Sequence, residues 1–534
     1  MAPGPFPSPG LQALILCGPG LSLTPFTSHP STLPKALLPL ANRPLLWYPL
    51  TWLLRAGITH ITIITPPEAA DAITAALKTH PALTELRVKP EVLAPKGLGM
   101  EMGTAGVLGL EEVRSAVKGD FVVVGCDFVC EVEGKALVQE WQRRNFLLAS
   151  GGGRKGGLGM FYPVEGKKGE TDFLATVAEQ AGRAGNGVGS GVERVVACMP
   201  SDTLKDRVEE DGGVLRVRQR LMQRFGQVKL RTRHRDAHVY FLPHWVMEFV
   251  RRNPGFESLS EDVLGWWVKA GWQGPELVEK LALNEVLGAA DHRSTAAVDG
   301  EYDGQESQGT ENARPTASAL SSTNASIHPQ THHQGQQAPS IPPFLAYIPP
   351  SSPTSPNMPL ILRVDTTPAL LRTTLSLAAL PPNTPTNPLA HQHKIHPSAT
   401  LAPQTRISPD DTLIAPNVLI ASRANLKNCV IGANSSIGGD VRLTGCLVME
   451  GVTIGEGVVM TGCVIGKGAK VEGGGKGKGT KLVECEVAPL FVVEAGTEGK
   501  GEKFMAFETG EMDGEGDEDA ENDEESEEEE EDEE

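Results

Sequence analysis

No stretch of this 534-residue chain approaches the roughly 18 consecutive apolar residues of a membrane span. The N-terminus, MAPGPFPSPG, lacks the basic-then-apolar order of a secretory leader. Cysteine is sparse. Eight residues with no tight framework exclude a disulfide scaffold and fit a reducing compartment. Cys126 and Cys130 have no matching second pair, so their spacing does not make a zinc site, and no metal is expected. The formal net charge is −19, but Glu511 to Glu534 alone hold 18 acids and no Lys or Arg. The remainder is therefore near neutral, which gives no sign of direct nucleic-acid binding. These absences predict a soluble, cytosolic protein without membrane attachment.

The chain is long enough for two or three domains with ample cores. From 11 to 290, short β-branched runs such as Ile61 to Ile64 and Phe121 to Val124 alternate with helical stretches such as Ala69 to Leu77. That alternation predicts an α/β domain with a mostly parallel, Rossmann-like sheet. Gly151 to Gly159 and Gly182 to Gly191 read as surface loops. From 291 to 343, Gln, Ser, Thr, His, Gly and Pro dominate, which predicts a disordered linker. A connecting segment follows at 344–394, and 506–534 reads as a disordered acidic tail.

Between them, 395–505 carries a repeat. Leu413, Val430, Leu447 and Val464 recur at a period of 17, and apolar-Gly steps such as Ile431-Gly432 and Ile437-Gly438 recur about every six residues. Hexapeptide periodicity of this kind predicts a parallel β-helix, three short strands to a triangular coil. Cys429, Cys446 and Cys463 then stack in a ladder as small buried hydrophobes.

The opening of the chain carries the chemistry. An apolar run, Leu14-Ile15-Leu16, leads into a turn at Gly18 to Gly20, and Pro34-Lys35-Ala36 follows. This layout resembles the glycine loop and P-K-P segment of the sugar-nucleotide pyrophosphorylases. In that family the loop wraps a triphosphate while an arginine and lysines stabilise phosphate charge. Gly103-Thr104-Ala105-Gly106 resembles the family's base-contacting turn, and Asp127 resembles its metal-binding aspartate. Yet Ser22 stands in the arginine's place, Leu21 in a threonine's, and Cys17 replaces one paired glycine. No F-x-E-K-P segment supplies a sugar-phosphate lysine, and Val196 to Pro200 holds no such group. Losing two cations costs several kcal/mol of transition-state stabilisation, a factor on the order of 10³ or more. A lone carboxylate binds magnesium poorly, so Asp127 reads as a strand-end cap and Lys35 as a solvated or structural lysine. Gly18, Gly20, Ser22, Lys35, Gly103, Thr104 and Asp127 thus form a degenerate nucleotide site, with no catalytic residue and no cofactor expected.

An α/β nucleotidyltransferase-like domain followed by a left-handed β-helix resembles the translation initiation factor 2B gamma-subunit family. The likeness is sharpest in Asp411 to Pro416, Leu426 to Gly432 and Glu450 to Ile454. Asp236 to Tyr240 and Arg363-Val364-Asp365-Thr366 also resemble segments of that family. The resemblance implies a non-catalytic scaffold that supports GDP-to-GTP exchange on initiation factor 2 by pairing with the catalytic epsilon subunit. It also implies a larger complex with alpha, beta and delta regulatory subunits. The epsilon subunit itself is a poorer match, because acidic residues follow Lys503 where that family carries a helical domain. An active pyrophosphorylase, similar to a mannose-1-phosphate guanylyltransferase, is the alternative.

Overall fold

The computed structural model describes residues 9–506, apart from 87, 100, 151–152, 165–170, 179–190, 289–339, 350–358, 383–386 and 475–478. All but the first residue of the predicted tail, most of the predicted linker and most of the second Gly-rich loop lie outside the described residues. Among the described residues, no helix is long and apolar enough to cross a membrane.

The first unit is built on a nine-stranded sheet. Its order is Glu91–Leu93, His60–Ile64, Gln12–Leu16, Phe121–Gly125, Lys229–Leu242, Gly157–Pro163, Phe344–Tyr347, Val192–Pro200, Asp172–Ala178. Gln12–Leu16 pairs in parallel with both His60–Ile64 and Phe121–Gly125. Beyond Phe121–Gly125 most pairings turn antiparallel, so the sheet is mixed rather than mostly parallel. Alternate side chains serve opposite faces. Ala13, Ile15, Val122, Val124 and Phe241 pack on one side, and Leu14, Val123, Phe161 and Tyr240 on the other. Both faces are buried, as the short, uninterrupted apolar runs require.

Two expectations change here. The Gly-rich stretch ending at Gly159 is not all loop: Gly157 and Gly159 lie in a central strand. A Cβ there would come within 2.6 Å and 2.9 Å of the Phe344 ring, so these glycines make room for an aromatic rather than for a turn. The linker also ends earlier than 343. Trp267 Nε1 donates to the Pro342 carbonyl at 2.8 Å, and Ile341 packs against the core. Phe344–Tyr347, expected in the connecting segment, is a strand of the first sheet. Its Phe344 stacks edge-on against Trp267, which does the same against Trp245.

From Thr400 to Phe504 three six-stranded parallel sheets form a left-handed β-helix of six coils. Corner residues adopt left-handed backbone angles, and Asn428, Gly445, Gly462 and Gly501 fill equivalent corners with φ between 51° and 67°. The period of 17 holds at Val430, Leu447 and Val464 and then breaks: Val464 pairs with Glu486. The insertion moves a fourth buried rung, Cys485, out of step with Cys429, Cys446 and Cys463.

One sheet of the β-helix is covered. In its strands Ile414, Ile431 and Val448 point into the coil, while Leu413, Val430 and Leu447 join the core of the first unit. The helix Thr367–Ala379 packs across this seam. Asn42 Nδ2 also donates to the Ile431 carbonyl at 3.1 Å.

Candidate functional site

A cavity of about 190 Å³ opens where the parallel strands Gln12–Leu16 and His60–Ile64 end, the edge at which open α/β sheets place ligands. Its walls are largely apolar, from Leu16, Ile64, Val107, Val123 and Leu259. Of the glycine-loop and site residues singled out in the sequence, Cys17, Gly18, Lys35, Thr104 and Asp127 line it.

Gly20, Ser22 and Gly103 serve elsewhere. Gly20 takes φ 81°, and a Cβ there would meet Lys35 Cβ at 3.0 Å, so the turn that seats Lys35 requires glycine. The Ser22 hydroxyl donates to the Asp365 carbonyl, fastening the glycine loop to the segment that leads to the β-helix. Gly103 lies against the Glu257 carbonyl, where a Cβ would approach to 2.2 Å. Thr104 Oγ1 accepts from the Leu259 amide at 2.9 Å. The Gly103-Thr104 turn is thus packed onto the Leu259–Leu264 helical turn.

Charge in the cavity centres on Asp127, which sits in the turn between Phe121–Gly125 and Phe128–Cys130. Lys35 Nζ lies 2.8 Å from its Oδ2, and Arg363 Nη2 lies 3.5 Å from the same oxygen. Asp127, read as a strand-end cap, instead carries an ion pair, and of the two expectations for Lys35, solvated or structural, the ion pair fits the structural one. Burial pushes the Asp127 carboxyl up, but Lys35 and Arg363 outweigh it and hold it well below the usual carboxylate range. Burial likewise opposes the charge on Lys35, yet Asp127 raises it above the ordinary lysine value. Arg363 also faces Asp365 at 3.6 Å, and Asp365 holds Arg235 at 2.7 Å.

Sequence reasoning missed Arg363 and His238 as cavity residues. Arg363 arrives on Ile361–Arg363, which pairs antiparallel with Phe128–Cys130. His238 is half-buried at φ 52°, and desolvation followed by Arg363 pushes its imidazole well below the usual value, so it stays neutral. Behind it, burial and then Asp172 push the Asp236 carboxyl up to about 7, while the Tyr240 hydroxyl donates to it. The sequence signal for Arg363 was the resemblance of Arg363-Val364-Asp365-Thr366 to a family segment, which did not place it at the cavity.

The sheet, the glycine loop and the cavity at the strand ends define a nucleotidyl transferase-type unit, and residues 12–154 match the family described as Nucleotidyl transferase. Within that class the chain is similar to a named relative. It is 24% identical to "Translation initiation factor eIF2B subunit gamma" of Schizosaccharomyces pombe over 270 residues, covering 49% of this chain and 52% of that protein. The aligned part thus spans about half the length of the relative. The family match and this likeness together support an eIF2B gamma-like assignment.

Proposed function

We propose that this chain is a non-catalytic scaffold and regulatory subunit of a translation initiation factor 2B complex. It pairs with the epsilon subunit and supports GDP-to-GTP exchange on initiation factor 2, with alpha, beta and delta subunits completing the assembly. The reading places it in the cytosol, which its eight free, buried cysteines suit.

The observation that carries the reading is the state of Asp127. A carboxylate that is to hold a divalent cation needs open lone pairs and further oxygen ligands. Here one lysine and one arginine face the same oxygen. Ser22, at the position where the resemblance puts an arginine, is tied to a backbone carbonyl instead. Positive charge is thus spent on an internal ion pair rather than offered to phosphate oxygens. An active sugar-nucleotide pyrophosphorylase remains the second reading because the cavity and Lys35 persist.

An exchange factor shifts its partner's population toward the nucleotide-free state. The test is stopped-flow release of a fluorescent GDP analogue from initiation factor 2. Three samples are compared: this chain, the epsilon subunit, and the pair. The chain alone should not accelerate release, and the pair should exceed epsilon alone. Acceleration by the chain alone, or no gain from a pair shown to form, would overturn the proposal.

A further inference from the structure

The three outer faces of the β-helix differ in character. One is covered by the first unit. The second presents Thr400, Leu419, Ser436, Thr453, Lys470 and Val492 and holds a single cation. The third runs through Arg406–Ile407, Asn425–Lys427, Arg442–Thr444, Val459–Thr461, Lys481–Val483 and Glu498–Lys500. Its outward positions carry Arg406, Lys427, Arg442, Lys481 and Lys500 against one acid, Glu498. All five cations are exposed. Among the described residues none of the five is in an ion pair, whereas Arg423, Lys467 and Lys503 at the corners and end coil each face a carboxylate. With strands about 4.8 Å apart, the face is a flat cationic strip about 24 Å long.

Near-neutral composition in the folded part therefore conceals a segregated charge. Its complement lies in the same chain. Residues 507–534 contain 19 Asp and Glu and no Lys or Arg. They follow directly on Lys503–Phe504, the last strand of the last coil, which is also the coil of Lys500. At about 3.3 Å per residue, 28 residues reach roughly 90 Å when extended, several times the length of the strip. Arg406, Arg442 and Lys481 stand in one column at every second strand, about 10 Å apart, so their fields overlap at low salt without direct contact, and a polyacid can neutralise them without any precise docking geometry.

We propose that residues 507–534 dock on this face of their own β-helix and shield it from other polyanions. The segment acts as an intramolecular competitor, so the face opens only to a partner acidic enough to displace it or in a complex that engages the tail elsewhere.

Zero-length carbodiimide cross-linking of the full chain tests this, because it joins carboxylates only to amines in contact. The sample is an equal mixture of light and ¹⁵N-labelled copies at low salt, and the products are mapped by mass spectrometry. Cross-links from 507–534 should concentrate on Lys427, Lys481 and Lys500 and join segments of the same isotope. They should fall severalfold at about 0.5 M salt, where screening shortens the reach of charge to a few ångströms. They should fall likewise in the exposed double variant Arg406→Gln/Arg442→Gln, which keeps the three lysines. An even spread over other exposed lysines such as Lys470 would overturn the proposal, as would cross-links only between light and heavy copies. Protection of the three lysines by an added single-stranded RNA oligonucleotide in the full chain would assign the face to nucleic acid and overturn it too.

Discussion

Arg363 and Asp127 meet at 3.5 Å although one belongs to the segment entering the β-helix and the other to a turn of the central sheet. The neighbouring Val364 amide donates to the Asp127 carbonyl at 2.9 Å, so backbone and side chain hold the same junction. Asp127→Ala would leave Lys35 and Arg363 buried without their shared counter-charge. The expected loss is about 3–5 kcal/mol, read by denaturant unfolding. The folded-state pKa of Asp127 lies below its unfolded value, so its stabilisation is complete above about pH 4 and is lost as pH falls. A variant as stable as the parent would show that the cations are satisfied by solvent instead.

Purified chain should form no sugar nucleotide from GTP or UTP and any sugar 1-phosphate. Ser22→Arg should not restore the reaction, because Ser22 is held by the Asp365 carbonyl outside the cavity lining. Pyrophosphate release is the readout. Turnover of even about 1 s⁻¹ in either protein lies in the ordinary enzyme range and would support the pyrophosphorylase reading.

Asp236 should make stability depend on pH in the direction opposite to Asp127. Its carboxyl is pushed up to about 7 in the fold, against about 3.9 in an unfolded chain. Its contribution is therefore complete below about pH 4 and is lost as pH rises through 7. Neutral His238 acts in the other sense, so the difference between variant and parent isolates Asp236. Asp236→Asn keeps an acceptor for the His238 amide, which lies 2.8 Å from Oδ1. The variant should gain on the parent by at least about 1 kcal/mol as pH is raised from about 5 to 8. A constant difference across that range would mean that Asp236 is ionised throughout.

Ile454 is 2% exposed and stacks between Ile437 and Val471 inside the coil. Ile454→Asp should cost more than about 4 kcal/mol, since it places an unpaired charge among apolar side chains. Thr453→Asp, one residue away on the exposed side, should stay within about 0.5 kcal/mol. Equal melting temperatures for the two variants would contradict the assigned inward and outward faces.

Deleting 291–338 should leave the melting temperature within a few degrees, because so few apolar residues cannot offset ordering entropy. Extending the cut to 343 should destabilise the fold by at least about 1–3 kcal/mol. It removes the carbonyl that satisfies the Trp267 indole and the one bonded to the Gly157 amide at 3.2 Å. If both deletions behave alike, residues 340–343 are not the anchor described.

The β-helix was legible because a stacked coil repeats its inward residues at a fixed spacing, and Leu413 to Val464 keep that spacing. Cys485 was not legible as a rung because an insertion breaks the count just before it. The glycine loop could be located from Leu14 to Gly20, and Lys35 and Asp127 do come together at the cavity. What they do there could not be read locally, since Arg363 reaches them through a distant strand pairing. Gly157 and Gly159 misled because composition does not distinguish a glycine that frees the backbone from one that admits a neighbouring ring.

The seam between the two folded units has a mechanical consequence. Leu377, Leu413, Val430 and Leu447 belong to the same apolar cluster as Ile15, Val124 and Phe128 beside the cavity. Close-packed interiors transmit displacement instead of absorbing it. The β-helix is therefore a handle fixed to the sheet: whatever grips its outer coils also sets the heading of the cavity.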